Sequence, residues 1–456
     1  MQKLCFAARP EDVGVSSQGI LDYIAAREEA GLEHHAIWVI RHGQVACRLN
    51  YAPYDDETPH MLFSLSKSFC SAAAGFAVQE GLLTWDTKLI DVLPEKFPEA
   101  PSDWLRAITL HDLLIMGSGL KPESDNVGGE DWAKAVLACD CDHAPGTHFN
   151  YNSHGTYLVS CMVQKVTGMT VRDYLIPRLF EPLGMMNPDD TAPEWDCCPA
   201  GVNVGGWGLW LSCRQIALFG QCLLQKGKWD GVQVLPPEWL SRATVRQIDN
   251  GNGDHPHDHD WNMGYGYQFW MCKGEREEGF TPRYRGDGMF AQLCVVDEKR
   301  DMVVCCVSGV PDIGKALDLI YTHLFAAADM APADENVQLA LQERLNTLSY
   351  PWPEHDGSTL PVGVYELEGM RVTIEPDRVL FPLDADKTCL FYAGRAEEGG
   401  GVVTCCGMKD GELRLLARPL RAPFTLDMTA RFNDAACELT FGGIGQETKT
   451  LCLRRV

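Results

Sequence analysis

Two short sequences carry a serine and a lysine three residues apart, Ser64-Leu-Ser-Lys67 and Ser118-Gly-Leu-Lys121. On a helix, residues i and i+3 share a face, so the lysine amine can reach the serine hydroxyl and take its proton. Context separates the two. Ser118 lies between Gly117 and Gly119, and Pro122 follows Lys121, so no helix is expected to run through that segment. Ser64 follows Met61-Leu-Phe63 and opens an alanine-rich run. Backbone N–H groups at a helix start favour negative charge, first a serine alkoxide and then an oxyanion. Burial beside Phe63 and Phe69 would favour the uncharged amine, the form that accepts a proton. The same residues also fit a plainer part, a helix N-cap serine beside a solvated lysine.

A second element is Pro145-Gly-Thr-His-Phe-Asn-Tyr151-Asn-Ser153. In extended chain, residues i and i+2 point the same way, so Tyr151 and Ser153 are expected to face one cleft. A phenol near an ammonium group can shuttle protons; a turn with a core tyrosine is the plainer alternative. A third is Arg283-Tyr-Arg285-Gly286-Asp287-Gly288, opening the strand Leu293-Cys-Val-Val296. Gly286 would let a ligand approach the backbone closely, and an edge N–H there would complement the N–H of Ser64 as an oxyanion donor. Strand alternation sends Arg283 and Arg285 to one face, where a cleft-facing guanidinium would grip a carboxylate. A glycine turn of a hairpin, with both arginines in solvent, is the alternative.

Around these residues the pattern alternates between strand and helix. Residues 18–31 read as a helix, and Ala36–Arg41 and Val45–Tyr51 as a hairpin turned at His42-Gly43-Gln44. Residues 64–82 read as a helix ended near Gly81, with further helices at 108–114, 155–166, 171–180 and 214–225. Strand patterns return at 264–271 and 291–308, and 312–327 is a closing helix. Two early strands, a long helical insert and late strands predict one α/β unit over residues 1–330 whose sheet pairs its beginning with its end. Residues 331–358 read as a linker with a short helix, and 359–456 as an antiparallel β barrel or sandwich.

The 456 residues hold 39 Lys plus Arg against 63 Asp plus Glu, a net charge of −24. So acidic a surface repels phosphate backbones and anionic lipid, so neither nucleic acid nor a membrane is expected as partner. No apolar run approaches a membrane span and no signal peptide is read at the start. The 19 cysteines are odd in number and often adjacent, as in Cys305-Cys306, which predicts buried thiols in a reducing cytoplasm. Cys139-Asp-Cys141-Asp-His143 lacks a second ligand pair, and His255-Pro-His257-Asp-His259 reads as a surface loop, so no metal and no cofactor are expected.

Taken in order, these elements resemble the serine β-lactamase-like hydrolase superfamily, which includes class C β-lactamases, D,D-peptidases, D-aminopeptidases and esterases. The resemblance rests on Met61-Leu-Phe-Ser-Leu-Ser-Lys-Ser-Phe69, Gln79-Glu-Gly-Leu-Leu83, Ile108-Thr-Leu-His-Asp-Leu-Leu114, Pro145-Gly-Thr147, Tyr151-Asn-Ser153, Pro182-Leu-Gly-Met185 and Gly205-Gly-Trp-Gly-Leu209. It covers residues from about 10 to 328. It implies that Ser64 is acylated, that Lys67 is its base and that Tyr151 is a second proton-transfer residue. Ser153 stands where many relatives carry Asn or Ser. Relatives often have Lys-Thr-Gly or His-x-Gly at the third element; this chain has Arg283-Tyr-Arg285 or Arg285-Gly286-Asp287, so recognition of a β-lactam carboxylate is not expected to carry over. The expected activity is cleavage of an ester or amide in a small or peptide-like substrate through an acyl-enzyme. The competing expectation is a penicillin-binding-like receptor or scaffold without turnover.

Overall fold

The computed structural model of the chain describes residues 4–121, 129–251, 260–274, 283–382, 387–433, 435–444 and 447–456. Among them a seven-stranded sheet spans the first two-thirds of the chain. Its strands are β1 (Cys5–Phe6), β2 (His34–Arg41), β3 (Gln44–Asn50), β4 (Trp270–Met271), β5 (Arg283–Gly288), β6 (Gln292–Asp297) and β7 (Met302–Ser308), in the order β1-β3-β2-β7-β6-β5-β4. β2 pairs antiparallel with β7, Val39 opposite Val304, so the start and the end of this unit are sheet neighbours. The β2–β3 hairpin turns through His42 and Gly43, both at positive φ.

Both faces of this sheet are covered, which explains the nearly continuous apolar strands. Ala36, Trp38 and Ile40 of β2 face one core, with Val303 and Cys305 of β7. Ile37 and Val39 face the other, with Val304 and Cys306. On the first face lie helices α2 (Ser66–Gln79), α3 (Ser153–Thr167) and α4 (Cys213–Leu224). On the second lie α1 (Ser17–Glu29), α5 (Ile313–Leu319) and α6 (Glu335–Leu345). The stretch expected as a linker is therefore partly docked: Leu341 of α6 is buried, and the Tyr350 hydroxyl donates to the His34 carbonyl at 2.8 Å.

α2 is the central helix. Twelve of its residues, Ser66 to Ala77, are buried, because Ala72, Ala73 and Ala74 let neighbours close in on every side. A methyl group at Gly75 would stand 2.5 Å from the Trp239 ring. Three serines of this helix are pinned to surrounding loops: Ser66 Oγ accepts from Leu209 N, Ser68 Oγ donates to the Gln268 carbonyl, and Ser71 Oγ donates to the Tyr267 carbonyl. The strand expected over 264–271 shrinks to Trp270–Met271. Gly264 and Gln268 take positive φ, and the buried Gln268 amide turns aside to donate to the Leu113 and Leu114 carbonyls.

Residues 363–455 form a ten-stranded antiparallel sheet that curls towards closure. One end strand, Thr388–Tyr392, reaches back to Val402–Lys409, where Gly394 N donates to the Cys406 carbonyl at 2.8 Å. Alternation fills its interior with Val379, Phe381, Phe391, Leu415, Met428 and Leu453. All 19 cysteines of the chain are thiols, most of them buried. Among the described residues no helix is long and apolar enough to cross a membrane.

Candidate active site

Ser64 sits in a single 3₁₀ turn, Phe63–Leu65, that feeds directly into α2. It caps nothing: neither this turn nor α2 has a side-chain cap. Phe63, just before it, has φ +47, an uncommon conformation for a bulky residue and one tolerated where packing over-determines it. Ser64 itself is half-buried.

Lys67, one helical turn on, is 1% exposed. Its Nζ lies 3.0 Å from Ser64 Oγ, 2.9 Å from Ser153 Oγ and 2.8 Å from the Gly206 carbonyl. A carbonyl can only accept, whereas a hydroxyl can accept or donate. As an ammonium the lysine donates to all three; as a neutral amine it can donate to Gly206 and Ser153 and take the Ser64 hydroxyl proton. Gly206 reaches this position because it lies on the first turn of α3, where a methyl group would meet the Ser153 carbonyl at 2.7 Å. Asn152 starts α3, its Oδ1 accepting from Gly155 N at 3.0 Å, and this sets Ser153 at the helix entrance.

Tyr151 and Ser153 do converge, on Lys67. Ser153 meets the amine through its hydroxyl, and Tyr151 places its ring face 4.8 Å from Nζ. The Tyr151 ring is held by stacking on Trp270, centroids 5.3 Å apart, and by an edge contact with Tyr265.

The third element departs from expectation. Arg283 and Arg285 share one face of β5, but that face is interior. Arg283 pairs with Asp297 at 2.7 Å, and Arg285, wholly buried, pairs with Asp287 at 2.8 Å and Asp260 at 3.3 Å, its guanidinium 4.4 Å from the Trp261 ring centre. Burial pushes the Asp287 carboxyl up, and Arg285 offsets only part of that push. Arg283 is neutralised by Asp297, and Arg285 by Asp287 and Asp260, inside the fold, so neither guanidinium stands free in a cleft. Gly286 permits a close approach, but of the chain's own Ser64 turn: a methyl there would meet Leu65 Cδ1 at 2.6 Å and Ser68 Oγ at 2.7 Å. At Gly288 it would meet the Leu62 carbonyl at 2.1 Å. The ladder with β4 stops at Arg285, so Gly286–Gly288 has strand pairing only with Gln292–Cys294.

The other Ser-x-x-Lys does not assemble. Lys121 is half exposed, 3.9 Å from Asp142, and Ser118 Oγ accepts a long bond from Leu120 N. Among the described residues no three His, Cys, Asp or Glu side chains gather as a metal set. The His255–His259 run lies outside the described residues. A groove of about 840 Å³ beside β3 and α6 lies at the opposite edge of the sheet from β5. Sequence reasoning marks Gly205-Gly-Trp-Gly-Leu209 as a stretch of the resemblance but misses the Gly206 carbonyl as a partner of Lys67, a role no side chain signals.

Residues 24–312 match the family model for beta-lactamase, more than half of the chain, and the protein belongs to that family of hydrolases and penicillin-binding-like proteins. Penicillin-binding protein 4 of Amycolatopsis lactamdurans is 30% identical over 40% of this chain and 55% of its own length. The 6-aminohexanoate-dimer hydrolase of Paenarthrobacter ureafaciens is 21% identical over 61% of this chain and 73% of its own. The chain thus spans about half to three-quarters of these relatives. The crystal structure of SurE with D-Leu superposes over 98% of this chain and 99% of its own, with a TM-score of 0.54 at 16% identity, a likeness of fold that takes in the β domain.

Proposed function

We propose that the protein is a serine hydrolase that cleaves an ester or amide through an acyl-enzyme on Ser64. The observation that carries this reading is the buried Lys67 amine, held by the Gly206 carbonyl within 3.0 Å of the hydroxyl of a half-buried Ser64. In the proposed reaction Ser64 Oγ attacks the substrate carbonyl carbon as its proton passes to Lys67 Nζ. The Ser64 N–H and the Gly286–Gly288 edge serve as donors to the oxyanion. Collapse breaks the bond to the alcohol or amine, which leaves with a proton supplied through Lys67 and Tyr151. Water then gives a proton to the same groups, attacks the Ser64 ester and releases the acid, restoring the hydroxyl.

Because Arg283 and Arg285 are already paired with carboxylates, the reading favours uncharged esters or peptide-like amides over β-lactams, and weak turnover of nitrocefin is expected. Intact-mass detection of a fluorophosphonate adduct tests the whole scheme. The wild type is expected to gain one adduct and the Ser64→Ala variant none, with hydrolysis lost alongside. A folded wild type that never labels would instead favour a receptor without turnover.

A further inference from the structure

Three phenylalanine rings from distant parts of the chain meet around Phe63, the residue before Ser64. Phe63 immediately precedes Ser64. Phe290 stands in the turn after β5, two residues beyond Gly288, and is almost fully buried. Phe424 belongs to the C-terminal β sheet, in the connection between Glu412–Pro419 and Leu426–Phe432. Ring centroids are 5.5 Å apart for Phe63 and Phe290, 6.1 Å for Phe63 and Phe424, and 5.5 Å for Phe290 and Phe424, the last two edge-on. Phe63 and Phe424 remain half-buried, so the cluster keeps apolar surface open.

The connection bearing Phe424 is bolted to the segment that leads into Ser64. Met61 N donates to the Arg421 carbonyl at 2.9 Å, and Arg421 Nε donates to the Pro59 carbonyl at 3.2 Å. Arg421 also pairs with Glu194 at 2.7 Å. On the other side of Phe424, Thr425 Oγ1 donates to Glu33 at 2.9 Å, and the same carboxylate pairs with Arg418 at 2.8 Å. Burial pushes the Glu33 carboxyl up, but His35 and Arg418 more than offset this and hold it down at about 2, so it stays an anion at neutral pH.

We infer that Phe424 is a specificity-determining residue, completing with Phe63 and Phe290 an apolar seat for the acyl group of the substrate. This rests on the serine-hydrolase reading above. The acyl group stays bonded to Ser64 Oγ, whereas the leaving group must be protonated on the Lys67 and Tyr151 side. The acyl chain therefore lies by the residues flanking Ser64 and the β5 turn, which are these rings. They carry no charge and no hydrogen-bonding group, so the acyl group they fit is a neutral aliphatic or aryl one.

The test is the ratio of kcat/KM for p-nitrophenyl hexanoate over p-nitrophenyl acetate in the full chain. Phe424→Ala is expected to lower the ratio about tenfold, the scale at which apolar pockets discriminate chain length. Phe424→Leu keeps an apolar side chain and is expected to fall between the two; it carries the test if the alanine variant melts early. An unchanged ratio in a folded variant, with Ser64-dependent turnover of both esters, overturns the seat and leaves the hydrolase reading standing. A wild type with no Ser64-dependent turnover of either ester overturns both.

Discussion

Ser64-Leu-Ser-Lys67 and Ser118-Gly-Leu-Lys121 have the same pattern and opposite fates. In the first, the side chains do the work: the amine is buried and bound to two hydroxyls and a carbonyl. In the second, the backbone does it. The Leu120 carbonyl accepts from Asn150 Nδ2 at 3.2 Å, and the Lys121 carbonyl accepts from Asn152 Nδ2 at 3.3 Å. Those two asparagines flank Tyr151, so the second copy helps to hold the segment that packs against Lys67 of the first. Spacing alone does not make a reactive pair. The first copy has a helix to align it, small residues that allow burial, and two other segments that bring acceptors to the lysine. Gly119, at φ +73 and with the His143 carbonyl where a methyl group would stand, turns the second copy away from helix altogether.

The largest expected effects separate the two copies by chemistry. Lys67→Ala should lower kcat/KM about 10²–10⁴-fold, the range for a lost general base. Tyr151→Phe keeps the ring that faces Lys67 and stacks on Trp270, so it removes the hydroxyl alone, and a loss in the same range is expected. Steady-state kinetics on one activated ester checks both. Full turnover in Tyr151→Phe would leave the ring as packing and take the phenol out of proton transfer.

Which parts of this arrangement were legible beforehand follows from the range of the forces. Helix and strand positions were readable because apolar periodicity is local: Ser153–Thr167 and Cys213–Leu224 fall within a few residues of expectation. Ser64 and Lys67 were readable because one helical turn joins them. The fate of Arg285 was not, since it depends on Asp260, 25 residues back along the chain and brought alongside by folding. Gly206 was silent because its contribution is a carbonyl. Phe424 was silent because more than 350 residues separate it from Phe63, and only the docking of the β sheet through Arg421 and Glu33 brings them together.

The next effect is on stability and sharpens what supports the first copy. β5 presses Gly286 and Gly288 against the Ser64 turn, and its buried face is neutralised by Arg285 between Asp287 and Asp260. Arg285→Met would strand two buried carboxylates without their cation. Breaking a buried pair from one side costs about 3–5 kcal/mol. Urea unfolding is expected to show a loss of that order. If KM rose instead with stability unchanged, Arg285 would be a substrate-binding residue after all and the interior pairing would be wrong.

The smallest effect is expected from the second copy's own side chains. Lys121 is half exposed and stands 3.9 Å from an equally exposed Asp142, a surface pair of the kind worth about 0–1 kcal/mol. The Ser118 hydroxyl accepts only the long 3.4 Å bond from Leu120 N. What the segment gives the site passes through the carbonyls of Leu120 and Lys121, and alanine keeps both. Ser118→Ala and Lys121→Ala should therefore each hold kcat/KM to within about twofold and shift stability by no more than about 1 kcal/mol. Fluorophosphonate labelling of both variants should proceed at the wild-type rate. A hundredfold loss in Lys121→Ala, with the fold intact by circular dichroism, would put that lysine in the chemistry and dissolve the distinction between the two copies.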